Sequence, residues 1–297
     1  MEQAAQVHPW IKSRSDVPNV LRPLLGLPLF LVPAWAGMSA DMSGIALALF
    51  IAFTLNDMNF LLHQHVHCPV FYRPWLNNTL DAVLAVMTGM TASSWHQHHV
   101  LRHHQLDDSW GKGFDWEMRR RSVLGAVSYS VRGAPIIIVR PYWETIRRGL
   151  IRDEKAPLHF RSAFVLQTLN FLIMALLISR VPLFYGPFYA LVWTFTRRTD
   201  YENHVGCDNS AFGFANNVLN ERYNWIRNNF GLHTAHHLHP DAHWTSLPQF
   251  HGEIVERIPR ERIESIRWTR TLNPMLIAFE LARAIRSWRQ RRMATAF

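Results

Sequence analysis

Long apolar runs separated by short polar turns set the layout of this chain. From Leu21 to Met38 there is no charge after Arg22, although Pro23, Pro28 and Pro33 interrupt the run. A turn containing Asp41 follows, and Gly44 to Leu62 is again mostly apolar. At about 1.5 Å per residue, each run is long enough to cross a hydrocarbon core of about 30 Å. The two predict a transmembrane hairpin. A second hairpin is predicted from Ala163–Ser179 and Val181–Phe195, turning at Arg180-Val-Pro182. The four spans are expected at about 21–38, 44–62, 163–179 and 181–197.

Two further apolar stretches read differently. Ala82–Ala92 is too short to span and is expected in the membrane interface or buried in protein. Val123–Val139 carries Arg132, Gly133 and Pro135 at its centre. A central arginine is expensive in lipid, so this stretch is expected to be interfacial. The basic intervening loop, with Arg119-Arg120-Arg121 and Arg147-Arg148, should then share one side with both termini. By the positive-inside rule that side is cytoplasmic. The tail beyond about Gly252 is expected to be a basic helix on the head groups, ending in Arg286, Arg289, Arg291 and Arg292.

Polar positions interrupt the pattern where histidines gather. Asn59, His63 and His67 are spaced by four and share one face of a helix. His99, His103 and His104 form an H-x-x-x-H-H group, and His233, His236 and His237 an H-x-x-H-H group. These clusters fall at or beyond the ends of apolar runs, where the chain leaves the membrane. Eight histidines exceed what one metal ion needs and suit two.

Composition narrows the partners. The chain has 297 residues and a net charge of +9, from 31 Lys+Arg against 22 Asp+Glu. Its mean hydropathy of −0.07 averages apolar blocks with a polar remainder. No nucleic-acid motif accompanies the basic charge, so an anionic membrane surface or acidic protein is the expected counterpart. Cys68 and Cys207 are too few for a disulfide framework. The N-terminus shows no basic-then-apolar signal pattern and is expected to be retained in the cytoplasm.

In order and spacing, the three clusters resemble the histidine boxes of the membrane fatty acid desaturase and hydroxylase superfamily. Leu238-His-Pro240, His243-Trp244 and Leu247-Pro248 resemble the segment after the third box in bacterial members. The resemblance implies an all-α integral membrane fold of four transmembrane helices as two hairpins. A cytosolic helical cap, from residues 63–160 and 198–297, would carry the boxes, with 1–297 as one domain. It also implies two iron ions held by His63, His67, His99, His103, His104, His233, His236 and His237. A ninth ligand is often supplied just before the third box. Tyr201-Glu-Asn-His-Val-Gly206 makes His204 the choice, being similar to a segment of membrane alkane hydroxylases except that Asn203 replaces glutamate.

Dioxygen would be the co-substrate and a long-chain lipid the substrate. A separate ferredoxin- or cytochrome-type carrier would bring electrons to the cytoplasmic face of the inner membrane. Fatty acyl desaturation is the leading activity. Hydroxylation of an alkyl, fatty acyl or carotenoid substrate is the alternative, and a histidine-rich metal transporter or sensor stands third. His65, His96, His98, His239, His243 and His251 are expected to hydrogen-bond around the site or to face solvent. Asn59, Asp57 and Glu202 are candidates for orienting an imidazole or capping a helix. Trp95, Trp110, Trp116 and Trp193 are expected to pack at the membrane interface.

Overall fold

A computed structural model describes residues 10–54, 58–104, 118, 120–147, 158–208, 210 and 212–264. His8, Asp57, Trp110, Trp116, Arg119 and the basic tail from residue 265 lie outside these residues. Within them the chain is mostly helical. In order come α1 (Val17–Ala36), α2 (Ala40–Thr54), α3 (Met58–His67), α4 (Pro74–Thr88) and α5 (Ala92–Trp95). A π-helical stretch, His96–His103, continues α5. Next are α6 (Val123–Gly133), α7 (Ile136–Arg147), α8 (Leu158–Arg180) and α9 (Pro182–His204). The last helices are short: α10 (Glu221–Ile226), α11 (His233–Leu238) and α12 (Leu247–Ile254). The all-α expectation is departed from at two points among the described residues, an isolated antiparallel bridge between Ile11 and Phe71 and one short pair of strands. Asn217–Val218 (β1) and Ile263–Glu264 (β2) pair in parallel, in register Asn217↔Ile263.

The segments expected to span fall on α1, on α2 with α3, on α8 and on α9. Their inward faces meet in an aromatic core. Phe30 of α1 contacts Phe50 of α2 at 5.5 Å between ring centroids and Tyr185 of α9 at 5.1 Å. The Tyr185 hydroxyl donates to the Phe30 carbonyl at 2.7 Å. Their outward faces are apolar as well, with Leu25, Leu29, Trp35, Ile45, Leu49, Leu172 and Leu176 exposed. So large an exposed apolar girdle is what a lipid-facing surface requires.

Among the described residues, two helical stretches are long and apolar enough to cross a membrane: Arg14–Ala36 with 23 residues and Val123–Trp143 with 21. Phe164–Arg180 is a shorter apolar helix. The stretch read as interfacial is therefore also long enough to span. It is two helices, α6 and α7, meeting at Ala134-Pro135, where proline cannot donate to the helical ladder. Ala82–Ala92 is internal: Leu84, Ala85, Met87 and Met90 are buried as α4 packs between α1 and α3.

Packing places the second box. Helix α4 ends at Gly89, whose φ of 74° is a left-handed cap that glycine adopts without strain. An added Cβ there would also lie 2.9 Å from Trp193 Nε1. The fully buried Gln167 of α8 fixes the next turn. Its Oε1 accepts from Thr91 N at 3.0 Å and its Nε2 donates to Gly89 O at 3.1 Å. Thr91 then caps α5.

Candidate metal centre

Four segments deliver the nine histidines to one place. Helix α3 carries His63 and His67, the π-helical stretch leads through His99 and His103 to His104, α9 ends at His204, and α11 carries His233, His236 and His237. They sort into two groups. Ligand nitrogens of His63, His67, His99 and His236 lie within 4.8 Å of one another, and so do those of His103, His204, His233 and His237. His104 stands against both. Its Nε2 is 3.0 Å from His99 Nε2, and its ring centroid is 4.4 Å from that of His237.

The π-helical turn makes His104 available. On an α-helix His104 would sit about 140° round from His99, pointing away. Here His104 N donates to His99 O at 3.1 Å, an i→i+5 bond. The wider turn brings both His103 and His104 to the face of His99. Such π-turns concentrate at functional sites.

Hydrogen bonding does not account for the second group. His103, His204, His233 and His237 form a closed ring of Nε2···Nε2 contacts at 3.1–3.2 Å. A neutral imidazole nitrogen is either a donor or an acceptor, with one in-plane site. Four such nitrogens make at most two hydrogen bonds, yet four close contacts are present. With these contacts, and no two of the nitrogens more than 4.8 Å apart, a point central to the ring lies within about 2.4 Å of each, close to the length of a metal–imidazole bond. In the first group His63 Nε2 and His236 Nε2 are 2.9 Å apart. Both nitrogens of His67 are buried without a hydrogen-bond partner. The donor set fits two transition-metal ions.

Electrostatics agree with that fit. Burial, reinforced by neighbouring imidazoles, lowers the basicity of His63, His99, His233, His236 and His237 far below that of free imidazole. His104 is lowered for the same reasons, and His67 and His204 fall to about 3. These rings stay neutral near pH 7, the form that binds a metal. His204 shows how a tautomer is set. Its Nδ1–H donates to Phe214 O at 2.9 Å, leaving the Nε2 lone pair toward the ring.

The chain belongs to the fatty acid desaturase family.

The family model matches residues 40–269, most of the chain and all three histidine boxes. No curated protein matches the chain. Membership makes the protein an oxidoreductase associated with lipid and membrane. It also accounts for the histidine cage, because the family in general uses a di-iron cofactor.

The remaining candidates take structural places. His65 Nε2 pairs with Asp81 at 3.2 Å, and His239 stacks on Phe250 at 4.1 Å. Asn59 donates to Val192 O at 3.4 Å, while Glu202 pairs with Arg121 at 3.1 Å and Arg198 at 2.6 Å. Trp95 leaves the interface role altogether: it is buried and stacks on His99, 5.2 Å between centroids and 8° between planes. Cys68 and Cys207 are half-buried and belong to neither histidine group.

Sequence reasoning missed the asparagines ahead of the third box. Asn216 Nδ2 donates to the carbonyls of Glu202 and Val205, both at 3.0 Å, and holds the end of α9. Asn217, fully buried, accepts from Thr234 N at 3.0 Å and donates to Thr234 Oγ1 at 2.8 Å, steadying α11. Asn224 bridges Val218 O and Gly231 N. Asn228 and Asn229 adopt left-handed φ of 50° and 59°, which asparagine tolerates better than most residues. The signal was the density of asparagine from 216 to 229.

Proposed function

We propose that this protein is a membrane di-iron desaturase that removes two hydrogens from a fatty acyl chain using dioxygen and two electrons from a separate carrier. The supporting observation is the pair of histidine groups bridged by His104. In this reading His63, His67, His99, His104 and His236 hold one iron, and His103, His204, His233 and His237 the other. Bound iron would supply dioxygen activation and an oxidant strong enough to break an unactivated C–H bond. The stoichiometry closes with two protons taken up, one C=C bond formed and two waters released.

The chain's own residues do the placing. The Phe214 carbonyl holds His204 in its ligating tautomer. Phe230 packs edge-on against His63 and near His233, each about 5.0 Å between centroids, and keeps the two groups in register. A small recess of about 30 Å³ beside His63 is lined by Phe60, Trp95, Phe195 and Phe230 together with Asn59, Thr196, Thr199 and Asp200. An acyl chain would have to widen it to bring a methylene next to the site, and would then exclude water from it. The four apolar segments would span the membrane as two hairpins, with the histidines and both termini in the cytoplasm. An acidic ferredoxin- or cytochrome-type donor would suit the basic charge of the chain.

Elemental analysis of detergent-purified protein tests the reading first. About two irons per chain are expected, and mass spectrometry of incubated acyl lipids should show loss of two hydrogens. Gain of one oxygen instead would make the enzyme a hydroxylase. Stoichiometric zinc that iron cannot replace would overturn the oxidase reading in favour of a transporter or sensor.

A further inference from the structure

We propose that Asp16 is a positioning residue that clamps the two halves of the first histidine group together through an N-terminal strap, residues 10–19. The proposal rests on the dinuclear reading above. Asp16 and Asn19 precede the span matched by the family, residues 40–269, so membership assigns them nothing.

The strap is fastened to the first box by its backbone. Ile11 and Phe71 form an antiparallel bridge, Lys12 N donates to Val70 O at 2.9 Å, and Tyr72 N donates to Trp10 O at 3.1 Å. These partners lie just past His67. The chain then turns through Arg14–Asp16 and buries Asp16 to 3% exposure. There the carboxylate takes donors from two directions. On one side, His243 Nε2 meets Oδ2 and Trp244 Nε1 donates to Oδ1, both at 2.9 Å, from the loop after α11 and its His236. On the other, Asn19 Nδ2 donates to Oδ1 at 3.1 Å. The Asn19 carbonyl oxygen accepts from Asn228 Nδ2 at 3.0 Å, and the same amide donates to Gln64 Oε1 at 2.8 Å. Gln64 is next to His63 on α3.

One carboxylate thus links the helix of His63 and His67 to the segment of His236. These three histidines line a small cavity of about 30 Å³ together with Asp16, Asn19 and Gln64. The described contacts of Asp16 lead to no residue of the second group, His103, His204, His233 or His237, except through α11 itself.

The carboxylate is specifically required. Burial disfavours charge on Asp16, but its hydrogen-bond donors outweigh that and leave it ionised, able only to accept. His243 therefore donates to it through Nε2–H, while Thr245 N and Oγ1 meet His243 Nδ1 at 3.3 and 2.7 Å on the far side of the ring. Three donors therefore point at Asp16. An amide in its place offers one acceptor oxygen and sets its NH2 against at least one donor.

The experiment is iron retention on the full-length protein. Wild type, Asp16→Asn and Trp244→Phe are loaded with iron, dialysed against a chelator, and followed by iron per chain and Mössbauer spectra. Direct partners of metal ligands typically change affinity about 10- to 100-fold, and Asp16 acts one step further out, through Gln64 and the loop after α11. Asp16→Asn should therefore lose one iron several-fold faster than wild type and ahead of the second iron. Trp244→Phe, which removes one of the three donors, should show a smaller loss from the same site. Should Asp16→Asn fail to accumulate, Trp244→Phe decides by the same criterion. Retention of both irons at the wild-type rate, or parallel loss of both, overturns the proposal. A wild-type protein that never holds two irons instead refutes the dinuclear reading.

Discussion

Acid should open the metal-free cage long before it harms the iron-loaded one. Eight imidazoles, His63, His99, His233 and His236 buried and His67, His104, His204 and His237 half-buried, are less basic than free histidine. The causes are burial and the neighbouring rings. In the unfolded chain each takes a proton near pH 6.5. Their folded values lie lower, about 3 for His67 and His204. The unfolded state therefore binds more protons below pH 6.5, and stability falls with pH. Stability from these groups is complete above pH 6.5 and is lost as pH drops toward the folded values. At pH 5.5 each such imidazole costs about 1.4 kcal/mol. Eight together come to about 11 kcal/mol, comparable to the whole stability of an ordinary domain. Iron occupies the lone pairs and must be displaced before the protons can bind. The assay is the thermal midpoint of stripped and iron-loaded protein in detergent, followed by tryptophan fluorescence from about pH 7.5 to 5.5. The stripped protein should lose its transition across this range while the loaded protein changes little. A stripped protein equally stable at both ends would refute the reasoning, because the imidazoles would then be open to water.

Two substitutions test the frame around the third box. Asn217→Ala removes the acceptor of Thr234 N and the partner of its hydroxyl, at 0% exposure. An unsatisfied buried group costs about 1–3 kcal/mol, so a lowered thermal midpoint with weakened iron binding is expected; an unchanged midpoint would remove Asn217 from the frame. Gly231→Ala places a Cβ 2.5 Å from Val218 O, a backbone atom that cannot swing away. It should destabilise by about 1–3 kcal/mol, whereas Gly44→Ala, with nothing within reach of the new methyl, should be neutral or mildly stabilising. Equal midpoints for the two variants would contradict this packing.

What the sequence determined by itself is local. Apolar runs and prolines marked α1, α8 and α9, because helix length is read residue by residue. The run 44–62 instead falls on two helices, and Val123–Trp143, read as interfacial, is also long and apolar enough to cross a membrane. The i, i+3 and i+4 spacings marked His63 with His67 and His233 with His236 and His237, because a helix maps spacing onto a face. The resemblance added His204. Tertiary structure decided the rest. The division of nine histidines into two groups splits the second and third boxes between them, which no spacing specifies. It depends on where α3, α9 and α11 converge. The π-helical turn that returns His104 to the face of His99 rests on a shift of backbone hydrogen bonding that the side-chain pattern does not encode. Asn217, Gln167 and Asp16 were equally illegible, since a polar residue in a loop or apolar helix looks solvated until its distant donors arrive. Contacts as far apart as Asp16 and Trp244 exist only after the chain has folded, and those contacts hold the cage in shape.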